Sequence, residues 1–534
     1  VSAPPPQAIA APPGAPREVE LKLLLEPADL VQLRRHRRIR ECAITPARTR
    51  RLHSVYFDTP DLDLLHQGVT LRVRRVGRRF VQTLKLPAGG GGGLLARSEI
   101  EVPVSTARPD AQRIPQPELR SLVAQAVATP GFGPILETEF QRTERRLRIE
   151  ETELVFDLDI GEIRTPRGAL PICELVLELA EGEAVRLYEL AAELQQSVRL
   201  RLSTRSKFER GLERLTGTHP SPSRARPVEL PEDATLEQAM EAAFHSCLEQ
   251  ILANEEPARR GVDPEGVHQM RVGVRRLRSA ISLFREVLPD AQRQALRDPL
   301  RWLADELGAA RDLDVFCDET LAVLRRRFPD DPQLKRIADE AAQMRTQAHV
   351  RVRGSLDSLR HAELTLQLGR WLVGRQWRQQ PTTPDSAKLF MPAREVGRRL
   401  LGRRYRKLLR RGRNLEGRTE DELHALRIEA KKLRFASEFL RSLYPNSRAR
   451  RFVRGVTRLQ NTLGHLNDAA AARSMLAHVI ERLGPEADPR MLRAVGFIEG
   501  WVSRAAEGEL SRLPRRWKAV RRRRAFWKQR EARS

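Results

Sequence analysis

In "EVELK", Glu18, Glu20 and Lys22 fall on alternate residues, so an extended strand turns all three side chains to one face and Val19 and Leu21 to the other. The alternation recurs. "TLRVRR" sets Arg72 and Arg74 against Leu71 and Val73, "VQTLKL" adds Lys85, and "LARSEIEV" places Arg97, Glu99 and Glu101 in step. "FQRTERRLR" supplies Arg142, "SKFERG" supplies Lys207, and "FDLDIGE" and "CELVLEL" supply Asp159, Glu174 and Glu178. Two arrangements accommodate such strands. In one, an ordinary sheet leaves its polar face in water. In the other, apolar faces pack outward under helices and ionic faces line a central tunnel. A tunnel with both signs of charge suits one ligand class: clustered Lys and Arg hold a phosphate chain, while carboxylates hold divalent cations that bridge phosphate oxygens and position water.

The elements that must carry these residues follow from hydrophobic period. "EVELKLLL", "VTLRVRRV", "RFVQTLKL", "RSEIEVPV", "ETEFQRTERRLRI", "TELVFDLDI" and "CELVLELA" alternate with period two and are separated by turn-prone stretches such as "DTPDLD" and the glycine run at 89–93. They predict an antiparallel sheet or barrel over residues 17–215, with helices such as 27–38 and 184–197. Residues 1–16 read as a disordered Pro/Ala leader without a signal peptide's basic and apolar regions. A Pro/Ser/Arg linker spans 216–234, and helical spacing then runs over 235–530, in halves of roughly 235–380 and 390–530.

The helical half repeats itself. "HQMRVGVRRLRSAISLF" from His268 matches "HALRIEAKKLRFASEFL" from His424, and the same offset pairs Leu303 with Leu459, Leu307 with Leu463, Gly308 with Gly464 and Asp312 with Asp468. Two related helical units with a pseudo-twofold relation are expected. On a helix, His268, Arg271, Arg275 and Arg278 share one arc, opposite Met270, Val274, Leu277, Ile281 and Phe284; His424, Arg427, Lys431 and Arg434 repeat the basic stripe. A repeated stripe with a histidine at the same place points to an anion site, and neither histidine has a second metal ligand at i+3 or i+4. The arginines of "PRRWKAVRRRRAFWKQR" interleave with Trp517, Phe526 and Trp527, which read as the core face of a last helix rather than a nucleic-acid surface.

Composition sets the outer limits. The net charge is +26, of which +22 lies beyond residue 217, so the helical half carries a field that attracts polyanions in general. Cys42, Cys173, Cys247 and Cys317 lie far apart with no CxxC pair, which argues against a zinc site or a disulfide framework and fits a reducing cytoplasm. No apolar run of about 18 residues suggests a membrane-spanning helix.

The ordered set "EVELK", "YFDTPDLDLLHQGVTLRVRR", "VQTLKLP", "RSEIEVP", "LDIGEI", "CELVLELAEG" and "SKFERGL" resembles the CYTH, or triphosphate tunnel metalloenzyme, family. The repeated helices resemble the CHAD domain, and the order of the two is similar to that of bacterial inorganic triphosphatases. The resemblance implies an α+β chain: an antiparallel eight-stranded tunnel, then an all-α domain of two pseudo-twofold-related bundles. It implies cleavage of triphosphate to phosphate and pyrophosphate with Mg2+ or Mn2+. Lys22, Arg72, Arg74, Lys85, Arg97, Arg142 and Lys207 would cradle phosphates; Glu18, Glu20, Asp159, Glu174 and Glu178 would hold metal, with Glu18, Glu20 and Lys22 serving catalysis. His268, Arg271, Arg275, Arg276, Arg278, His424, Arg427, Lys431, Lys432 and Arg434 would bind inorganic polyphosphate. Where the family's late strand reads E-x-E-x-E, this chain has Glu174, Val176 and Glu178. Arg311 likewise stands opposite Asn467 in the second copy. Expected partners are triphosphate and polyphosphate, with no specific nucleic acid and no membrane span, in the cytoplasm or on polyphosphate granules. Alternatives are a polyphosphate-binding or granule-associated protein with little turnover, and an enzyme acting on nucleoside or thiamine triphosphate, as hydrolase or cyclase.

Overall fold

The computed structural model describes residues 17–87, 93–415, 417–444, 447–484 and 488–528. The expected leader and most of the glycine run lie outside the described residues. The chain divides into two compact units. The first comprises the chain up to Pro220 together with Asp357–Gln376, and the second comprises Ser221–Leu356 and the chain from Trp377 on.

The first unit is built on strands β1 (Arg17–Leu25), β2 (Arg48–Asp58), β3 (Thr70–Val76), β4 (Arg79–Pro87), β5 (Leu95–Val104), β6 (Gly133–Ile149), β7 (Thr152–Thr165), β8 (Gly168–Glu181) and β9 (Leu200–Leu202). All seven segments singled out by their alternation are strands. β2 escaped that reading because its first four residues are exposed while Tyr56, Phe57 and Asp58 are consecutively buried, which erases the period. The helix expected over 27–38 is two short ones, Leu30–Arg34 and Arg37–Cys42, parted at His36. The sheet order is β5-β4-β3-β2-β6-β7-β8-β1-β9, and β1 also pairs with β5. All these pairings are antiparallel.

Burial settles which face of the strands is inside. Leu71, Val73, Leu84 and Leu86 pack with Leu119, Val123 and Ala126 of helix Pro117–Ala128, so the apolar face of β3 and β4 lies under a helix. Helix Val185–Gln195 touches β1 and β8 and brings in Leu187, Leu190 and Leu194, all fully buried, as are Leu21, Leu23, Leu175 and Leu177. Each such leucine contributes roughly 1.5–3 kcal/mol by leaving water. The opposite faces are ionic and yet buried: Lys22 is 4% exposed and Arg72 6%. The arrangement with a solvated polar face is therefore not the one adopted by these strands.

Helix Leu359–Val373 belongs to this unit, packing on helix Val185–Gln195 and on β9. Its approach is close at Gly369, where an added Cβ would come within 2.2 Å of the Tyr188 ring. Tyr188 is itself fully buried.

The second unit is helical. The His268 helix is Pro264–Leu283, started by the Asp263 carboxylate on the Glu265 amide and by Pro264 at its first turn. The His424 helix is Glu420–Leu440, started by a capping box of Thr419 and Glu422. Each is followed by a long helix, Asp290–Val315 and Ser447–Leu483, in which the equivalent residues Leu303 and Leu459, and Leu307 and Leu463, are buried. The copies then diverge: a π turn at Phe316–Leu321 interrupts the first, whereas the second continues unbroken. Trp517, Phe526 and Trp527 are buried, and Phe526 and Trp527 stack edge to face with Phe452, so these aromatics are core.

Gly369→Ala is expected to destabilise the first unit by about 1–3 kcal/mol, the usual cost of overpacking, read as a lower midpoint in urea or thermal unfolding.

Candidate functional site

Inward-facing residues of all eight long strands meet in one cavity of about 250 Å3. β1 gives Glu20 and Lys22, β3 gives Thr70, Arg72 and Arg74, β4 gives Lys85, and β5 gives Glu99 and Glu101. Tyr56, Thr138, Phe140 and Arg142 come from β2 and β6, Asp157 from β7, and Val176 and Glu178 from β8. Lys207 completes it as the first residue of helix Lys207–Thr216. That helix is fixed by a capping box in which Ser206 Oγ accepts from the Glu209 amide at 3.1 Å and the Glu209 carboxylate accepts from the Ser206 amide at 2.7 Å. Phe208, packed 5.1 Å from the Tyr56 ring, adds an apolar anchor.

The cavity is charged in layers. At one level Arg72 Nη2 lies 3.4 Å from Glu99 and 3.6 Å from Glu101, and Lys85 also pairs with Glu99. Arg74 Nε donates to Ser54 Oγ at 3.1 Å, and burial together with the Arg72 and Arg142 guanidiniums pushes its pKa down to about 9. Lys22 lies 3.7 Å from Glu20, and Glu20 is the register partner of Glu178 across β1 and β8. At a deeper level Arg142 holds Asp159 through two bonds of 2.7 Å and also pairs with Asp157. Lys207 pairs with Asp159 at 2.7 Å and with Glu174, and Arg210 reaches Glu174 at 3.0 Å.

Burial alone would discharge these groups, but their partners outweigh it. The Asp159 carboxyl is held below the usual range by Lys207 and Arg142, and Glu174 by Lys207 and Lys22. Lys207 is correspondingly raised by Asp159 and Glu174. Asp157 goes the other way: burial dominates and lifts it to about 6, against the pull of Arg142.

Of the residues named from sequence, the structure brings Glu20, Lys22, Arg72, Arg74, Lys85, Arg142, Glu178 and Lys207 to the cavity wall. Asp159 and Glu174 instead lie in the ion-paired layer beneath it, fully buried. Glu18 and Arg97 are register partners on β1 and β5; their side chains lie outside the described residues. Asp157 was missed, although its place two residues before Asp159 puts it on the same strand face.

In the second unit, a cavity of about 130 Å3 collects His268, Arg271, Arg275, Arg311 and Arg427, with Asp312 and Asp468 at its wall. Arg271 Nη1 lies 3.2 Å from Asp312. Burial and the neighbouring guanidiniums push Arg275 down to about 9, and burial with Arg275, Arg427, Arg271 and Arg434 pushes Lys431 down to about 6. His268 is lowered by burial and Arg311. Such shifts mark cations crowded together. His424 stands elsewhere, its Nδ1 2.7 Å from Asn467 Oδ1 in a separate pocket of about 340 Å3. Arg276 points into the core, donating to Gln250 at 2.7 Å and Ser246 at 3.1 Å, because one residue from Arg275 is about 100° around the helix. Lys432 pairs with Glu429, Arg434 with Gln460 and Glu438, and Arg278 is exposed.

An antiparallel sheet whose cavity face carries both signs of charge, followed by a helical unit with a crowded cationic pocket, makes this an α+β protein. Residues 16–212 match the CYTH domain model and residues 242–477 the CHAD domain model, so the chain is a CYTH-domain protein with a CHAD domain behind it. It is 26% identical over 196 residues to an inorganic triphosphatase of Haemophilus influenzae, covering 36% of this chain and 54% of that protein. It is 28% identical over 289 residues to an uncharacterised protein of Mycobacterium tuberculosis, covering 51% and 53%. The chain thus spans about half the length of the curated relatives it matches. Among solved structures, the CHAD domain of the plant Ricinus communis is 30% identical and covers 57% of this chain and 98% of its own, with a TM-score of 0.49. A putative adenylyl cyclase from Hippeastrum, described as having a dominant triphosphatase activity, is 20% identical and covers 37% and 95%, with a TM-score of 0.28.

Glu174→Gln is expected to cost about 3–5 kcal/mol at pH 7, because Lys207 and Arg210 are left buried beside a neutral group. Glu174 is depressed in the folded state, so its contribution is complete above the unfolded carboxyl pKa and is lost as pH falls. The difference between wild type and variant in urea unfolding should therefore shrink below about pH 4.

Proposed function

We infer that this chain is a divalent-cation-dependent inorganic triphosphatase that cleaves triphosphate to phosphate and pyrophosphate, with a helical domain that binds inorganic polyphosphate. The observation that carries the reading is the cavity to which all eight long strands contribute, with Lys22, Arg72, Arg74, Lys85, Arg142 and Lys207 interleaved with carboxylates. The β1–β5 pairing supports a closed tunnel, and the equivalent His268 and His424 helices support two pseudo-twofold-related bundles.

The carboxylates fit a hard cation. Glu20 and Glu178 are register partners and supply oxygen donors on one face. Among the described residues no three His, Cys, Asp or Glu side chains converge as a cage. Mg2+ is commonly bound by one or two carboxylates plus substrate phosphates, and Glu20 and Glu178 would supply the carboxylates for Mg2+ or Mn2+. When bound, the ion would neutralise phosphate oxygens and orient water. Lys22, Arg72, Arg74 and Lys85 would hold the phosphate chain and take up its developing charge, while Arg142 and Lys207, braced by Asp159 and Glu174, would fix the inner end. Phosphoryl transfer asks chiefly for such positioning and charge neutralisation, so no covalent nucleophile is required.

Val176 favours a second reading, a polyphosphate-binding protein with little turnover, because it puts an apolar side chain in the cavity wall between Glu174 and Glu178. Phosphate release from tripolyphosphate, ATP and thiamine triphosphate with Mg2+ or Mn2+ separates the readings. Release is expected from tripolyphosphate, falling roughly 10²-fold or more in Glu20→Gln, as for loss of one transition-state-stabilising group, with polyphosphate binding retained. Absence of release from every substrate would overturn the enzymatic reading.

In the helical domain, polyphosphate would replace mutual repulsion among Arg271, Arg275, Arg427 and Lys431 by attraction. An anion beside Lys431 raises its pKa from about 6, so binding near pH 7–8 should take up a proton and weaken as pH rises. Calorimetry in buffers of different ionisation enthalpy should show this uptake, and Lys431→Met should remove it. Affinity should also fall steeply with salt, as for other polyanion complexes.

A further inference from the structure

Val176, 3% exposed, sits mid-way along the cavity side of β8 and offers no oxygen. Its register partners are Lys22 on β1 and Asp157 on β7, so the three form one rung across adjacent strands. Directly paired residues bring their Cβ atoms to about 4.5–5.5 Å, within a side chain's length of each other. Asp157 lines the same cavity and is 2% exposed. One of its oxygens, Oδ2, meets Arg142, whereas Oδ1 is buried with no hydrogen-bond partner. Leaving a buried carboxylate oxygen unpaired costs about 1–3 kcal/mol or more, a cost that packing does not explain. The neighbouring acids of the deeper layer are engaged otherwise: Asp159 by Arg142 and Lys207, and Glu174 by Lys207 and Arg210.

We propose that Asp157 supplies, from the adjacent strand, the carboxylate that β8 lacks at Val176, and that its Oδ1 is an oxygen ligand for the divalent cation of the triphosphate site. This rests on the reading of the cavity given above. It also answers the objection that Val176 raises, because the acid is moved one strand sideways along the same rung rather than lost. The unpaired oxygen is then a ligand position, and Arg142 on Oδ2 orients the carboxylate.

The test is Mn2+ alone titrated into the full chain, with free aquo-Mn2+ read by electron paramagnetic resonance, so that the result does not depend on turnover. Asp157→Asn, isosteric and free of the buried charge, should weaken Mn2+ binding roughly tenfold or more without lowering the unfolding temperature. Adding Val176→Glu to Asp157→Asn should restore affinity to within about threefold of wild type. Undiminished binding by Asp157→Asn, or no recovery in the double variant, would overturn the assignment of Asp157. If Glu20→Gln loses Mn2+ while Asp157→Asn keeps it, the metal reading of the cavity stands and this inference alone fails. If the wild type binds no Mn2+, this inference falls, and the triphosphatase reading is decided by the phosphate-release assay above.

Discussion

The first unit depends on one constraint: ionic side chains buried on one face of a sheet must neutralise one another. Taking a carboxylate or guanidinium out of water costs several kcal/mol, recovered only where geometry is close and remaining donors are satisfied. The Arg142–Asp159–Lys207–Glu174–Arg210 chain meets that demand by crossing from β6 through β7 and β8 to the helix that begins at Lys207. The capping box at Ser206 and the contact of Phe208 with Tyr56 hold that helix where its ammonium group is needed. Strand pairing, helix start and charge pairing are therefore one structure, and the groups above this layer inherit their positions from it.

The same constraint governs the outside. With charges turned inward, β1, β3, β4 and β8 present Leu21, Leu71, Leu84 and Leu175 outward, and these must be covered. Helices Pro117–Ala128 and Val185–Gln195 do so, and helix Leu359–Val373 lies over the second of them. A chain segment far along the sequence is thereby drawn into the first unit. Gly369 makes that approach possible, since the Tyr188 ring occupies the space a side chain would need.

Much of this was legible in the sequence because period two is set by strand geometry itself. Seven strands could be read from alternation, yet alternation does not say which face is inside; only the leucines packed under helices decide that. Residues two apart share a face but lie roughly 6–7 Å apart along the strand. Asp157 lies in the cavity wall while Asp159 is held behind it by Arg142 and Lys207, and hydrophobic pattern carries no record of that difference. Helix Leu359–Val373 was legible as a helix but not as part of the first unit, because it buries Leu364, Leu366, Leu368 and Leu372 around much of its circumference and so shows no single docking face. In the helical half the repeat gave the equivalent helices, and the 100° step separating Arg275 from Arg276 decides which of two adjacent arginines reaches the cavity.

The repeat also shows how duplicated sequence can yield unequal sites. In the first copy, Arg311 adds a cation beside His268 and Arg275. In the second, the matching Asn467 accepts from Arg427 and bonds His424, drawing that histidine away to a pocket of its own. The first copy also buries Asp314, held by Arg345 at 2.8 Å and His349 at 2.9 Å, where the second has Ala470. Asp314 lies just before the π turn at Phe316, and Phe316 lines the cationic cavity, so a local change in helix winding accompanies the change in its wall. The two copies, equivalent in sequence, thus contribute unequally to one crowded pocket in which His268, Arg271, Arg275 and Arg311 come from the first and Arg427 from the second. The electrostatic field there belongs to the pair of copies rather than to either helix alone.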